Sequence, residues 1–138
     1  MRLAADFHRE SAYAGHPLAL AKVDELIARA HTDSDRFCVV VADAVTDRMQ
    51  GYLMAICHEH YFSYTKTVTD IGFYIADAYR SPAIARDMVR ALERWAFHVK
   101  QASDISLGVS AGIADERIVR LYERLGYMRG FWGCIKSR

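Results

Sequence analysis

The chain has 138 residues, 52% of them hydrophobic and 25% charged, with eight glycines and two prolines. That make-up fits one folded domain over residues 1–138 with its own core, and argues against a disordered tail or a repeat array. Eighteen Lys and Arg against seventeen Asp and Glu leave a formal charge of +1, so no overall field draws the chain to nucleic acid or an anionic membrane, and a nucleic-acid partner would need a local patch.

The N-terminal stretch MRLAADFHRE carries acids and lacks the apolar centre of a signal peptide. Residues 3–10 have a weak helical pattern, broken by Gly15-His16-Pro17 before a second helix through Leu18, Val23, Leu26, Ile27 and Ala30. Residues 37–43, rich in β-branched side chains, predict a strand, and the apolar run 51–57 predicts its hairpin partner. Both runs are far shorter than the about 20 residues of a membrane span. A polar and aromatic stretch, residues 58–66, leads to a third strand over 68–76.

Ser81-Pro82 is a strong helix start, because a serine hydroxyl caps free amides and proline fits the first helical position. The helix runs to about Lys100, with Ile84, Met88, Leu92, Trp95 and Val99 as its buried stripe. Residues 105–110 form another strand. A helix follows from Asp115 to Leu125, with Gly126 where a left-handed cap needs glycine. Residues 127–136 supply the last strand. Early hairpins and a later strand-helix-strand unit predict an α/β (α+β) fold, with a mixed, mostly antiparallel sheet flanked by helices.

Three cysteines, Cys38, Cys57 and Cys134, are odd in number and widely spaced, and two lie in apolar runs. That usage favours a reducing compartment, and the cytoplasm is the expected location.

Two segments carry a family resemblance. Residues 70–85, DIGFYIADAYRSPAIA, look like a strand followed by the signature Gln/Arg-x-x-Gly-x-Gly/Ala. Residues 121–127, LYERLGY, are close to the family segment LYEKLGF. With the order of elements from Phe37 onward, the chain resembles the GNAT superfamily of acetyl-CoA-dependent N-acetyltransferases over about three quarters of its length. Two departures stand out. Arg80 takes the first signature position, but Ala83 replaces the first glycine and Ala85 sits where alanine is tolerated, so the turn is glycine-free. Met1 falls at or inside the first helix, where the family usually opens with a strand, so either the sheet lacks its edge strand or the sequence is short at its start.

The resemblance implies an N-acetyltransferase that moves an acetyl group from acetyl-CoA to an amine by direct attack in a ternary complex. It assigns acetyl-CoA to Phe73, Tyr74 and Ile75 on the strand, to Arg80, Ser81, Ala83, Ile84, Ala85 and Arg86 around the pyrophosphate, and to Asp115, where the family often has asparagine. A carboxylate cannot donate as an amide does, so Asp115 also reads as a helix cap. Tyr122 matches the tyrosine that returns a proton to the leaving thiolate; a phenol of pKa about 10 can act as an acid at neutral pH. Tyr122 also falls on the buried stripe of its helix, which is a packing role.

The base is the weaker part of the pattern. In a regular strand Thr69, Ile71 and Phe73 share one face and Asp70, Gly72 and Tyr74 the other. The family's usual base positions then fall on Thr69 and Ile71, neither of which is a base. Gly108, at another position where some members carry a glutamate, offers none either. Asp70 is the nearest carboxylate and serves only if a bulge alters the register; otherwise it is a solvated or ion-paired acid. A water relay or an acceptor amine of lowered pKa would also fit.

His58 and His60 would project to one side of a strand, but no second ligand pair at metal spacing accompanies them, so no metal is expected. His58, His60, Tyr61 and Tyr64 are instead expected to help form the acceptor pocket. Residues 108–112 fit the letters G-x-S-x-G without a strand-to-helix elbow, so hydrolase chemistry is not expected.

A small-molecule or protein amine is the expected acceptor. A homodimer is compatible with the open sheet edge that a missing first strand leaves and with Phe131 and Trp132. The alternative from another class is a non-catalytic GNAT-fold module that binds acyl-CoA or a protein, motivated by the absent glycines and base.

Overall fold

Strands β1 (Arg36–Ala42), β2 (Met49–Glu59), β3 (Lys66–Ile75) and β4 (Asp104–Ser106) lie in that order in one sheet of the computed structural model, which describes residues 2–109 and 115–130. β1, β2 and β3 pair antiparallel, and β4 joins β3 in parallel. Helices α1 (Arg2–Glu10) and α2 (Leu20–Thr32) precede the sheet, α3 (Pro82–Arg94) crosses from β3 to β4, and α4 (Asp115–Arg124) follows. The mixed, mostly antiparallel sheet with flanking helices is the architecture expected from the sequence.

One sheet face packs on α3. Leu53, Ala55 and Cys57 of β2 meet Val68 and Ile75 of β3 and Met88 and Leu92 of α3, with Phe37, Val39 and Val41 at the margin. Leu53 and Leu92 are fully buried, each stabilising the fold by about 1.5–3 kcal/mol. α1 covers the other face, where the Phe7 ring lies 6.3 Å from Tyr52 and 5.9 Å from Tyr74.

α3 begins as expected: Ser81 is extended, its hydroxyl accepts from the Ala83 amide at 3.2 Å, and Pro82 opens the helix. Its end differs. Residues Trp95–Val99 form a π-helical turn, which adds a residue to the turn and shifts the buried face. Ala96 is therefore fully buried and Val99 is 68% exposed, so Val99 leaves the predicted stripe. β4 spans only Asp104–Ser106 rather than residues 105–110. Gly126 has φ of +93°, the left-handed cap expected of it.

Among the described residues no strand precedes α1, and no helix is long and apolar enough to cross a membrane. Of the last expected strand, residues 127–130 carry no regular structure and the rest, with Phe131, Trp132 and Cys134, lies outside the described residues.

Candidate active site

β3 and β4 pair over only three rungs, Thr67 with Asp104, Val68 with Ile105 and Thr69 with Ser106, and then part. Among the described residues, the backbone of β3 beyond Thr69 therefore has no strand beside it on the β4 side. At the point of separation the Gly108 amide donates to the Asp70 carboxylate at 2.7 Å, so Asp70 bridges the two diverging strands.

A bulge sets the direction of Asp70. Met54 pairs with Gly72 but its neighbour Ala55 pairs with Asp70, leaving Ile71 as the extra residue of β3. Partners across an antiparallel ladder share a face, so Phe73 (opposite Leu53), Asp70 (opposite Ala55) and Val68 (opposite Cys57) all lie on the α3 side. Regular alternation would have put Asp70 and Phe73 on opposite faces. The bulge turns the only carboxylate of this strand inward.

Burial pushes the Asp70 carboxyl above its ordinary value, and the Gly108 amide opposes that rise. Tyr122, on α4, is buried, and its phenol is raised by burial first and by the Asp70 charge second. The two groups are thus within electrostatic reach of one another in a poorly solvated place. One is a carboxylate made more basic, the other a phenol that stays protonated at neutral pH. Environments that set two titratable groups to opposite proton tasks are the usual preparation for acid-base work.

A cleft of about 720 Å³ opens between the end of β3, the start of α3 and α4. Phe73, Tyr74, Ile75, Arg80, Ser81 and Ala85 line it, which gathers six of the residues assigned to the acyl donor. Asp70 and Tyr122 do not line it; Asp70 lies three residues back along β3 from Phe73, towards the paired rungs. Of the remaining donor assignments, Ile84 packs against the core, Arg86 is exposed and pairs with Asp87 at 3.0 Å, Ala83 is exposed and uses its amide in the cap, and Asp115 opens α4.

Arg80 is heavily committed. Its guanidinium donates to the Ile75 carbonyl at 2.9 Å, to Asp77 at 3.1 Å and to Glu10, and it lies 5.6 Å from the Tyr74 ring centre. Glu10 also accepts from the Tyr74 hydroxyl at 2.8 Å. Burial raises the Glu10 carboxyl, but the bonds from Arg80 and Tyr74 outweigh it and hold the group below its ordinary value. The Tyr74 phenol is pushed up to about 12 by burial and by Glu10. The signature arginine thus ties the end of α1 to the end of β3.

Sequence reasoning missed Glu10, Arg117, Arg120 and Arg124, all of which line the cleft. On α4 the arginines follow one another at spacings of three and four, which is one helix face. Their spacing was visible in the sequence; that this charged face meets a cleft was not.

His58, His60, Tyr61 and Tyr64, expected to help form the acceptor pocket, do not line this cleft. Tyr61 and Tyr64 are 82% and 92% exposed at the tip of the β2–β3 hairpin, at the opposite end of β3 from the cleft. The His60 ring stacks on Tyr61 at 4.6 Å. His58 turns away to the sheet, with Nε2 3.1 Å from the Thr69 hydroxyl.

The fold recurs among solved acetyltransferases. An acetyltransferase of Trypanosoma brucei superposes with a TM-score of 0.73 at 13% identity, covering 99% of this chain and 92% of that one. The ribosomal-protein-alanine N-acetyltransferase of Brucella melitensis gives 0.68 at 14% identity, with 99% and 88% covered. The glucosamine-6-phosphate N-acetyltransferase of Arabidopsis thaliana gives 0.69 at 10% identity, with 88% and 80% covered. Identities this low establish a common fold and nothing finer. No curated protein matches the sequence. The sequence pattern described as the acetyltransferase (GNAT) family matches residues 3–127, nearly the whole chain, and on that match, with the splayed strands and the fold they share, this protein belongs to the GNAT family of acetyltransferases.

Proposed function

We propose that the protein is an N-acetyltransferase in which an acceptor amine attacks the thioester of acetyl-CoA directly, with Asp70 as base and Tyr122 as acid. The observation that carries this reading is the bulge at Ile71, which turns Asp70 to the α3 face, where its charge reaches the Tyr122 phenol.

Acetyl-CoA enters the cleft so that its pantetheine arm runs along the edge of β3, where backbone groups lack a strand partner among the described residues, and its thioester points to the parting of β3 and β4. An alkyl ammonium of pKa about 10 is mostly protonated at neutral pH, so its proton must be removed before attack. Asp70 takes that proton. The amine nitrogen then bonds to the acetyl carbon, the carbon–sulfur bond breaks, and Tyr122 supplies a proton to the departing thiolate. The attacking nitrogen sheds its second proton to solvent as the amide forms, and the balance closes when Tyr122 is reprotonated from solvent and Asp70 releases its proton, a net release of one proton for each ammonium acetylated. Binding both reactants side by side supplies the orientation on which such a transfer depends.

The acceptor is a primary amine, either a small molecule or a group on a protein. Structural relatives are named for acceptors as unlike as a ribosomal-protein alanine and glucosamine 6-phosphate, so the fold does not choose among them. The test is release of free thiol from acetyl-CoA with a panel of small amines, polyamines, amino sugars and peptides. Acceptor-dependent release above the rate of spontaneous hydrolysis is expected for at least one class. Binding of acetyl-CoA with no thiol release across the panel would instead support a non-catalytic acyl-CoA-binding module.

A further inference from the structure

The usual cradle for a phosphate at a helix start is a set of free backbone amides. Here that set is reduced. Pro82 has no amide hydrogen, the Ala83 amide is bonded to the Ser81 hydroxyl, and the Ala85 amide donates to the Ser81 carbonyl at 3.0 Å. Among the described residues this leaves two amides of the helix start, those of Ser81 and Ile84, without a protein partner. Arg80, just before that turn, already holds Glu10, Asp77 and the Ile75 carbonyl, and Arg86, just after it, pairs with Asp87 at 3.0 Å. A donor with a pyrophosphate and a phosphomonoester of charge about −2 needs more than this.

The opposite wall of the same cleft supplies it. Arg117, Arg120 and Arg124 line it from one face of α4. Arg117 and Arg124 have no ion-pair partner among the described residues, and Arg120 reaches only Glu116 at 3.5 Å, a carboxylate that Arg129 holds more closely at 3.0 Å. Their forks suit phosphate oxygens, and in a concave site they are screened less than on an open surface.

Resting on the acetyl-CoA reading above, we infer that phosphate recognition in this protein has moved from the start of α3 to the side chains of α4. Arg117, Arg120 and Arg124 neutralise the phosphates of the acyl donor, so its affinity is carried by arginine charge and not by a backbone turn. This accounts for a glycine-free turn: where amides do not approach phosphate closely, alanine costs nothing.

The experiment measures calorimetric binding of acetyl-CoA and of acetyl-pantetheine, which has the same thioester arm without phosphates, to the wild type and two triple variants. In R117Q/R120Q/R124Q, acetyl-CoA binding should weaken by about 100-fold, with the loss of most of its salt dependence, while the weaker binding of acetyl-pantetheine stays unchanged. R117K/R120K/R124K should keep most of the affinity, since charge is retained. Equal acetyl-CoA affinity in the glutamine variant and the wild type would overturn the inference, and so would parallel loss of both ligands. Failure of the wild type to bind either ligand would instead sink the acetyl-CoA reading on which the inference rests.

Discussion

Asp70→Asn should lower kcat/KM for the acceptor amine by about 100-fold, within the range that general-base catalysis contributes. The carboxamide has the shape of the carboxylate, and its oxygen can still accept the Gly108 amide that Asp70 now holds at 2.7 Å. The fold is therefore retained and only the basic group is lost. Because burial raises Asp70, the acidic limb of the wild-type pH–rate profile should lie above the ordinary aspartate value of about 4, and it should vanish in the variant. Full activity in Asp70→Asn, or an unchanged acidic limb, would remove Asp70 from the mechanism.

The same substitution has an opposite effect on stability. A carboxyl whose pKa is raised by folding binds its proton more tightly in the native state than in the unfolded chain. Its contribution is fully present below the unfolded value of about 4 and is lost as pH rises through the raised native value. At neutral pH the ionised Asp70 therefore weighs against the fold. Denaturant unfolding should show Asp70→Asn gaining stability relative to the wild type between pH 4 and neutrality. A pH-independent difference would contradict the buried charge assigned to Asp70.

Tyr122→Phe should lower kcat by about 100-fold while the Kd for acetyl-CoA stays within about twofold of the wild type. The ring keeps its place against Tyr127, whose centre lies 5.8 Å away, so packing is preserved and only the hydroxyl goes. With an acyl donor whose thiol is more acidic, the leaving group needs no proton and the variant should recover most of the lost rate. Equal losses with both donors would show that the hydroxyl acts through structure and not as the acid. This matters because Tyr122 also sits on the buried face of α4, a role the helix pattern alone explains.

Much of the fold was legible because it rests on local chemistry. A β-branched run marked β1 and an apolar run β2, Ser81-Pro82 marked the start of α3 and Gly126 the end of α4, and each of these signals acts over a few residues. What was hidden depends on partners distant in sequence. The bulge at Ile71 exists only in the pairing of β3 with β2, so the sequence could state that Asp70 needed a bulge but not that one forms. β4 ends at Ser106, where it diverges from β3, although the sequence pattern extends the strand further. The π-helical turn displaced Val99 from a stripe that a regular helix would have buried.

The site was legible in part for the same reason. The signature placed Arg80 and Ser81 at the cleft, and the α4 segment placed Tyr122. It could not show Arg80 already engaged by Glu10, seventy residues away, nor the arginines of α4 turned to the cleft. A charged helix face looks solvated until the element across from it is known. Aromatic composition pointed to Tyr61 and Tyr64, which the hairpin geometry carries out to solvent.

The account stands most directly on the cleft holding acetyl-CoA, and thermal unfolding with and without that donor measures it. At about 100 times its Kd a ligand that binds only the native state adds about 2.7 kcal/mol, which raises the midpoint of a domain this size by several degrees. The structure predicts that rise for acetyl-CoA and for CoA. An unchanged midpoint at millimolar acetyl-CoA would contradict the account.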